Sequence, residues 1–205
     1  MTRTELIDKI KVKMDEITPF DDGVTFAGTD IKPIVSYIED YLQSSCDDLL
    51  MICPLYLCGK TEFDGDVTDG ETLNNRIIGE LEVPDDFLRV HTVKMSGWER
   101  PVHISIGVED ADYQFQLNPY TMGGSAQPVI VKTSELLYLY SYLDGDTCSE
   151  KTYVARVDMT DSTIDINDSL INPLCALVAA NVYGVFGSEE QKIMLQEVET
   201  FLKTR

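Results

Sequence analysis

The order of apolar and polar positions divides the chain into three stretches. Leu6, Ile10, Met14 and Ile17 recur at helical spacing, which predicts an amphipathic helix over residues 4–17, ended by Pro19 and the D-D-G at 21–23. A longer helix follows. Thr29 or Asp30 can cap it, Pro33 fits its first turn, and Ile34, Val35, Ile38, Tyr41, Leu42, Leu49, Leu50 and Cys53 fill one face up to Pro54. The period then falls from helical to two. Leu81 and Val83 alternate with Glu80 and Glu82, and Val102, Ile104, Ile106 and Val108 alternate with His103, Ser105 and Gly107, so both segments predict strands. Residues 128–133, 135–142 and 151–157 predict three more, with Asp144-Gly145-Asp146 as the turn between the last two. Residues 59–71 show no apolar period and predict a flexible acidic loop.

The helical period returns after residue 167. Asp168 or Ser169 can cap a segment carrying Leu170, Leu174, Leu177, Val178, Val182 and Val185, and Ala176, Ala179, Ala180 and Gly184 would allow close helix approach. Gly187 stops it. Ser188 and Gln191 then form a capping-box pattern, with Glu189 and Glu190 at the positive end of a last helix whose apolar stripe is Met194, Val198, Phe201 and Leu202. Two helices, a β-rich middle and two helices predict an α+β fold: a small helical bundle from the N- and C-terminal segments with a β-rich insertion over residues 77–160, within one domain spanning 1–205.

Composition narrows the partners. The chain has 205 residues, a hydrophobic fraction of 43% and a formal net charge of −20. That is enough apolar matter for a packed core, and the N-terminus has the pattern of a charged helix without the apolar region of a secretory signal. No run of 18 apolar residues suggests a membrane span. The acidic surface repels a phosphate backbone, so reading or wrapping nucleic acid is disfavoured. The charge serves solubility, or it lines a surface that DNA must slide past without sticking; charge alone does not separate these. Five Cys (Cys46, Cys53, Cys58, Cys148, Cys175) make an odd number without disulfide-framework spacing, and buried thiols in a reducing cytoplasm are the favoured reading.

Catalytic patterns fail one by one. There is no G-x-S-x-G elbow, and His91 and His103 fall on predicted strands as isolated residues. Cys53 and Cys58 with two distant His make a poor zinc set. Counted from Asp64 as a calcium loop, the sixth and twelfth positions are Asp69 and Asn75, where Gly and Glu are needed. No phosphate-cradling Gly loop is present. Tyr138, Tyr140 and Tyr142, placed on one face of a strand with few basic neighbours, suit core packing or a protein interface better than a nucleic-acid platform. The reading is therefore no catalytic residue, no metal and no cofactor. A metal-dependent hydrolase using Asp64, Asp66 and His91 is the enzymatic alternative, disfavoured because its acids lie in the predicted loop.

The densest run of special residues is 83–131, which holds the sole Trp, both His and four of the eight Pro. Its segments V-P-D-D-F-L-R-V at 83–90, G-W-E-R-P-V at 97–102 and Q-L-N-P-Y-T at 116–121, with the later P-L-C-A-L-V-A-A helix, resemble the head-to-tail connector, or adaptor, proteins of short-tailed bacteriophages, the neck-ring or tail-tubular type. The five Cys and the acidity fit phages of gut bacteria such as the crAss-like group. The resemblance implies a structural virion protein at the portal vertex, assembled in the host cytoplasm. Such a protein forms a homo-oligomeric ring, commonly of twelve copies, under the portal protein. The ring extends the channel through which double-stranded DNA passes without specific binding, and it docks the next neck or tail component. Another neck or tail-completion module is the alternative. Twelve copies would carry a charge of about −240, and a polyanionic lumen would limit DNA adhesion.

The interface candidates follow from that reading. Pro84 and the D-D pair turn the chain before a strand at Phe87. Trp98 and Pro101 either pack the core of a hairpin or anchor a neighbouring subunit. Tyr120, in the Asn118-Pro119-Tyr120 turn, and Tyr138 and Tyr140 are contact candidates. Met194, Val198, Phe201 and Leu202 either dock on the portal or a neighbour, or fill the bundle core.

Overall fold

The computed structural model describes residues 1–15, 33–73 and 76–203. The fold is α+β, and the chain divides into two compact units, one built from residues 1–59 with 157–205 and the other from 60–156.

The first unit is helical. Helix α1 (Arg3–Asp15) buries Leu6, Ile10 and Met14, the periodic positions of the sequence. Helix α2 (Ile34–Ile52) starts after Pro33 and stops where Cys53 turns extended before Pro54, because the residue preceding a proline is driven out of helical geometry. The caps expected at Thr29 or Asp30, and the stop at Pro19 and 21–23, lie outside the described residues. Helix α4 (Asp168–Val185) is the apolar centre and packs on α1, α2 and α5 (Glu190–Lys203). Among the described residues it is the one helix long and apolar enough to cross a membrane; here Leu170, Leu174, Ala176, Val178, Ala179, Ala180 and Val182 are fully enclosed by its neighbours. Burying one large aliphatic side chain contributes about 1.5–3 kcal/mol, so this helix dominates the unit's cohesion. Polar ties set the register. Asn181 Nδ2 donates to Ser45 Oγ at 2.9 Å between α4 and α2, and the Tyr183 hydroxyl donates to the Met14 carbonyl in the last turn of α1 at 2.8 Å. Gln43 on α2 holds the returning chain by donating to the Val157 carbonyl and accepting from the Met159 N–H.

Two end signals differ from expectation. Asn167, not Asp168 or Ser169, is the N-cap of α4, its side-chain oxygen accepting from the Ser169 N–H at 3.0 Å. The capping box of α5 does not close: the Ser188 N–H already donates to Tyr183 O, and the Gly187 N–H to Gly184 O. These two bonds are the Schellman end of α4, made possible by Gly187 at φ +64°. The Ser188 hydroxyl turns instead to Glu190.

The second unit contains two sheets. Strand β4 (Phe87–Met95) and β8 (Cys148–Ala155) pair antiparallel, and β1 (Thr61–Glu62) adds to the other edge of β8. The second sheet has the order β2 (Thr68–Leu73), β3 (Arg76–Glu82), β7 (Leu136–Leu139), β6 (Ile130–Lys132), β5 (Ile106–Gly107), antiparallel except for β5 beside β6. The unit therefore begins at Lys60, earlier than the insertion start at residue 77. Residues 59–71 are a loop only in part: β1 pairs Thr61 with Tyr153 and β2 pairs Thr68 with Glu80, leaving 63–67 as the turn between them. The 102–108 alternation gives less strand than expected. Val102 makes a single bridge to Val93, only Ile106–Gly107 is strand, and Ile104 is 76% exposed. Turn chemistry at Pro84 holds, with the Phe87 N–H donating to Pro84 O at 3.0 Å.

The core of this unit joins Phe63, Leu81, Phe87, Val90, Val93, Met95, Trp98, Ile130, Leu137, Leu139 and Tyr153. Phe63 and Tyr153 lie 4.7 Å apart by ring centroids, and the Lys132 ammonium sits 4.6 Å from the Phe87 ring centre. Tyr142 reaches this core because Gly79 has no side chain: a Cβ there would stand 2.9 Å from the Tyr142 ring.

Candidate interaction surface

Residues 104–120 of the β-rich unit carry a series of exposed apolar side chains. Ile104 (76%), Phe115 (53%) and Tyr120 (95%) are its most exposed large side chains, with Val108 and Leu117 also exposed. The segment is held firmly at its base. Asp110 Oδ2 accepts from the Gly107 N–H at 2.6 Å. The short helix α3 (Tyr113–Gln116) presents Gln116 inward, where its buried Oε1 accepts from the Gly123 N–H at 2.9 Å. Asn118 Oδ1 accepts from the Tyr120 N–H at 3.0 Å, and the Thr121 hydroxyl donates to Phe115 O at 2.8 Å. Tyr113 meets Tyr140 edge-on at 6.4 Å. Gln116 thus bonds inward and the other ties are local, while the apolar side chains Ile104, Phe115 and Tyr120 face solvent. Exposed apolar side chains gathered on an ordered segment are what a protein contact uses. Glu109, Asp110 and Asp112 give the same stretch an acidic border.

The candidate residues scatter over distinct roles. Trp98 is 3% exposed, and its indole N–H donates to Ser141 O at 2.8 Å; it is a core residue of the β-rich unit, not a projecting anchor. Pro101, half-buried, precedes the Val102 bridge. The three tyrosines do not share a strand face. Strand β7 ends at Leu139, after which the chain turns; half-buried Tyr138 and buried Tyr140 join a small cluster with Ile78, Met122 and Val131, while Tyr142 joins the main core. Burial pushes the Tyr140 phenol up. The Tyr142 phenol is pushed up to about 12, first by the hydrogen bond it donates to Asp69 (2.7 Å) and then by burial. Met194 and Val198 are buried within the helical unit, whereas Phe201 and Leu202 are half-buried. Of the nine candidates, Tyr120 is the one that stands fully in solvent.

The two histidines are not isolated. Val102 pairing with Val93 brings His103 back onto His91: Thr92 Oγ1 lies 3.0 Å from His91 Nδ1 and 3.3 Å from His103 Nδ1, and the latter is 2.7 Å from the His91 carbonyl oxygen. His91 is buried, whereas the Asp66 side chain is 95% exposed and pairs with Lys151 at 2.8 Å. Among the described residues no three His, Cys, Asp or Glu side chains converge as metal ligands. Sequence reasoning missed Ile104, Phe115 and Gln116. The alternation of 102–108 places Ile104 on a strand, and a lone Gln gives no signal of burial.

No protein-family model matches the chain, and no curated protein matches its sequence.

Proposed function

We propose that this chain is a structural subunit of a tailed-phage neck, forming a ring, expected to be of twelve copies, below the portal. The observation that carries the reading is the 104–120 segment, which exposes Ile104, Phe115 and Tyr120 while local hydrogen bonds and the buried Gln116 tie it down. A cyclic assembly needs a surface on each copy that a different surface of the next copy receives, and a pinned apolar segment suits one half of such a contact. The charge of −20 supports a channel wall that does not hold DNA, since release of condensed counterions requires cations to replace them. The likeness of the 83–90, 97–102 and 116–121 segments to phage adaptors gives the partner: a portal protein on one side and a further neck or tail component on the other.

Mass in solution, measured with and without a portal protein from the same genome, tests the reading. A ring on the portal is the expected result, and Tyr120→Ser together with Phe115→Ser should leave a folded monomer that no longer assembles. A wild-type chain that stays monomeric in the presence of that portal would rule the reading out.

A further inference from the structure

Cys53 and Cys58 are brought together at the C-terminal end of α2. The Cys53 N–H still donates to Leu49 O at 2.9 Å, as the last bond of the helix, but its own backbone is extended. Pro54 then sends the chain into one 3-10 turn, Leu55–Leu57, after which the Cys58 N–H donates to Leu55 O at 3.0 Å. The turn folds the second cysteine back over the first. The two Sγ atoms lie 3.2 Å apart, and each is 3.9 Å from the carbonyl oxygen of Leu50. A disulfide bond is about 2.05 Å long, so roughly 1.2 Å of sulfur movement separates this arrangement from a covalent bond.

The other cysteines have no such neighbour. Cys46 and Cys175 are buried, and burial pushes their thiols up to about 12 and about 11. Cys148 belongs to the β-rich unit and is half-buried. In the pair, Cys58 is 8% exposed against 1% for Cys53, and Gly59 next to it is exposed, with open space where a side chain would be.

We propose that Cys53 and Cys58 are a redox-active dithiol that closes to an intramolecular disulfide by exchange with a small-molecule disulfide of the glutathione class. Cys58 is the first to react. Its thiolate attacks one sulfur of R–S–S–R, that bond breaks, and one R–S⁻ leaves and takes up the proton released by Cys58. The Cys53 thiolate then attacks Cys58 Sγ in the mixed disulfide, and the second R–SH departs with the proton of Cys53. The two cysteines are oxidised by two electrons, and one R–S–S–R is reduced to two R–SH. The pair is open in a reducing compartment and closed outside one, where it clasps the end of α2 to the chain leaving the helical unit. This inference is independent of the ring reading.

The test uses the intact chain. Protein purified under reductant is equilibrated without oxygen in graded ratios of oxidised to reduced glutathione, quenched in acid and alkylated. The expected wild-type result at oxidising ratios is loss of two of the five alkylation sites. Chymotrypsin, which can cut after Leu55, Tyr56 or Leu57, should then release a Cys53 peptide linked to a Cys58 peptide. Cys46→Ser should keep the pair, and Cys53→Ser should leave Cys58 carrying glutathione. Five alkylated thiols at every ratio, glutathione retained on wild-type Cys58, or a bond to Cys46, Cys148 or Cys175 would each overturn the proposal. The wild-type map decides the matter even where a variant does not fold.

Discussion

The helical unit and the β-rich unit cohere by different means. In the first, one apolar helix is wrapped by three others, and most of what it buries is aliphatic, with Asn181 and Tyr183 adding single hydrogen bonds to α2 and α1. In the second, the chain crosses itself through polar atoms attached to large rings: the Trp98 indole to Ser141 O, the Tyr142 hydroxyl to Asp69, and the Tyr153 hydroxyl to Asp86 at 2.8 Å. Packing of aliphatic side chains is tolerant of small shifts. A ring that must both fill a core and place one hydrogen bond is not, because the lost bond leaves a buried polar group unsatisfied as well as a cavity.

The largest expected effect is in the β-rich unit. Trp98→Ala should destabilise it by about 3–5 kcal/mol. Hydrogen exchange should show lost protection across residues 60–156 while α4 stays protected. The reciprocal variant, Leu174→Ala in α4, should cost about 2–5 kcal/mol and open the helical unit first. If either variant loosens both units equally, the contrast between them is wrong. Next comes Gly187→Ala, which forces a side chain into a positive-φ position and should cost about 1–2 kcal/mol, read as a lower midpoint for helical-unit melting.

A smaller effect distinguishes the units in alkali. The phenols of Tyr142 and Tyr153 are both held up at about 12, the first chiefly by its bond to Asp69 and the second chiefly by burial, against about 10 for an unfolded tyrosine. The fold favours the neutral phenol. The stabilisation is therefore complete below about pH 10 and is lost as pH rises through about 12. The β-rich unit should unfold in that window before α4 does. Tyr142→Phe should cost about 1 kcal/mol at neutral pH and make the alkaline loss shallower. The smallest effect on folding belongs to Tyr120→Ser, within about 0.5 kcal/mol by denaturant titration, since the side chain is 95% exposed.

What was legible in the sequence tracks the same division. The periods in α1, α2, α4 and α5 are local, and the helix positions follow them to within a few residues. Strand assignment fails where pairing is remote. The T-D-G-E-T-L of β2 has no fully buried position and so no apolar alternation, yet it finds β3. The V-H-I-S-I-G-V run alternates well but pairs only at Val102 with Val93 and at Ile106–Gly107 with β6, so Ile104 is left in water. Alternation describes which way side chains point and says nothing of whether a partner strand is available. Tyr120 could be chosen because N-P-Y announces a turn. Phe115 and Gln116 could not, since their opposite exposures depend on Gly123, seven residues beyond Gln116. The Cys53–Cys58 pair rests on a 3-10 turn that Pro54 alone does not specify.

The sole tryptophan lies in one unit and none lies in the other. Selectively excited indole emission is therefore a one-sided gauge. It reports water reaching the β-rich unit and is blind to melting confined to the helices. A curve from fluorescence and one from helical circular dichroism would describe different halves of the molecule, and the gap between them is a direct readout of how strongly the two halves are coupled.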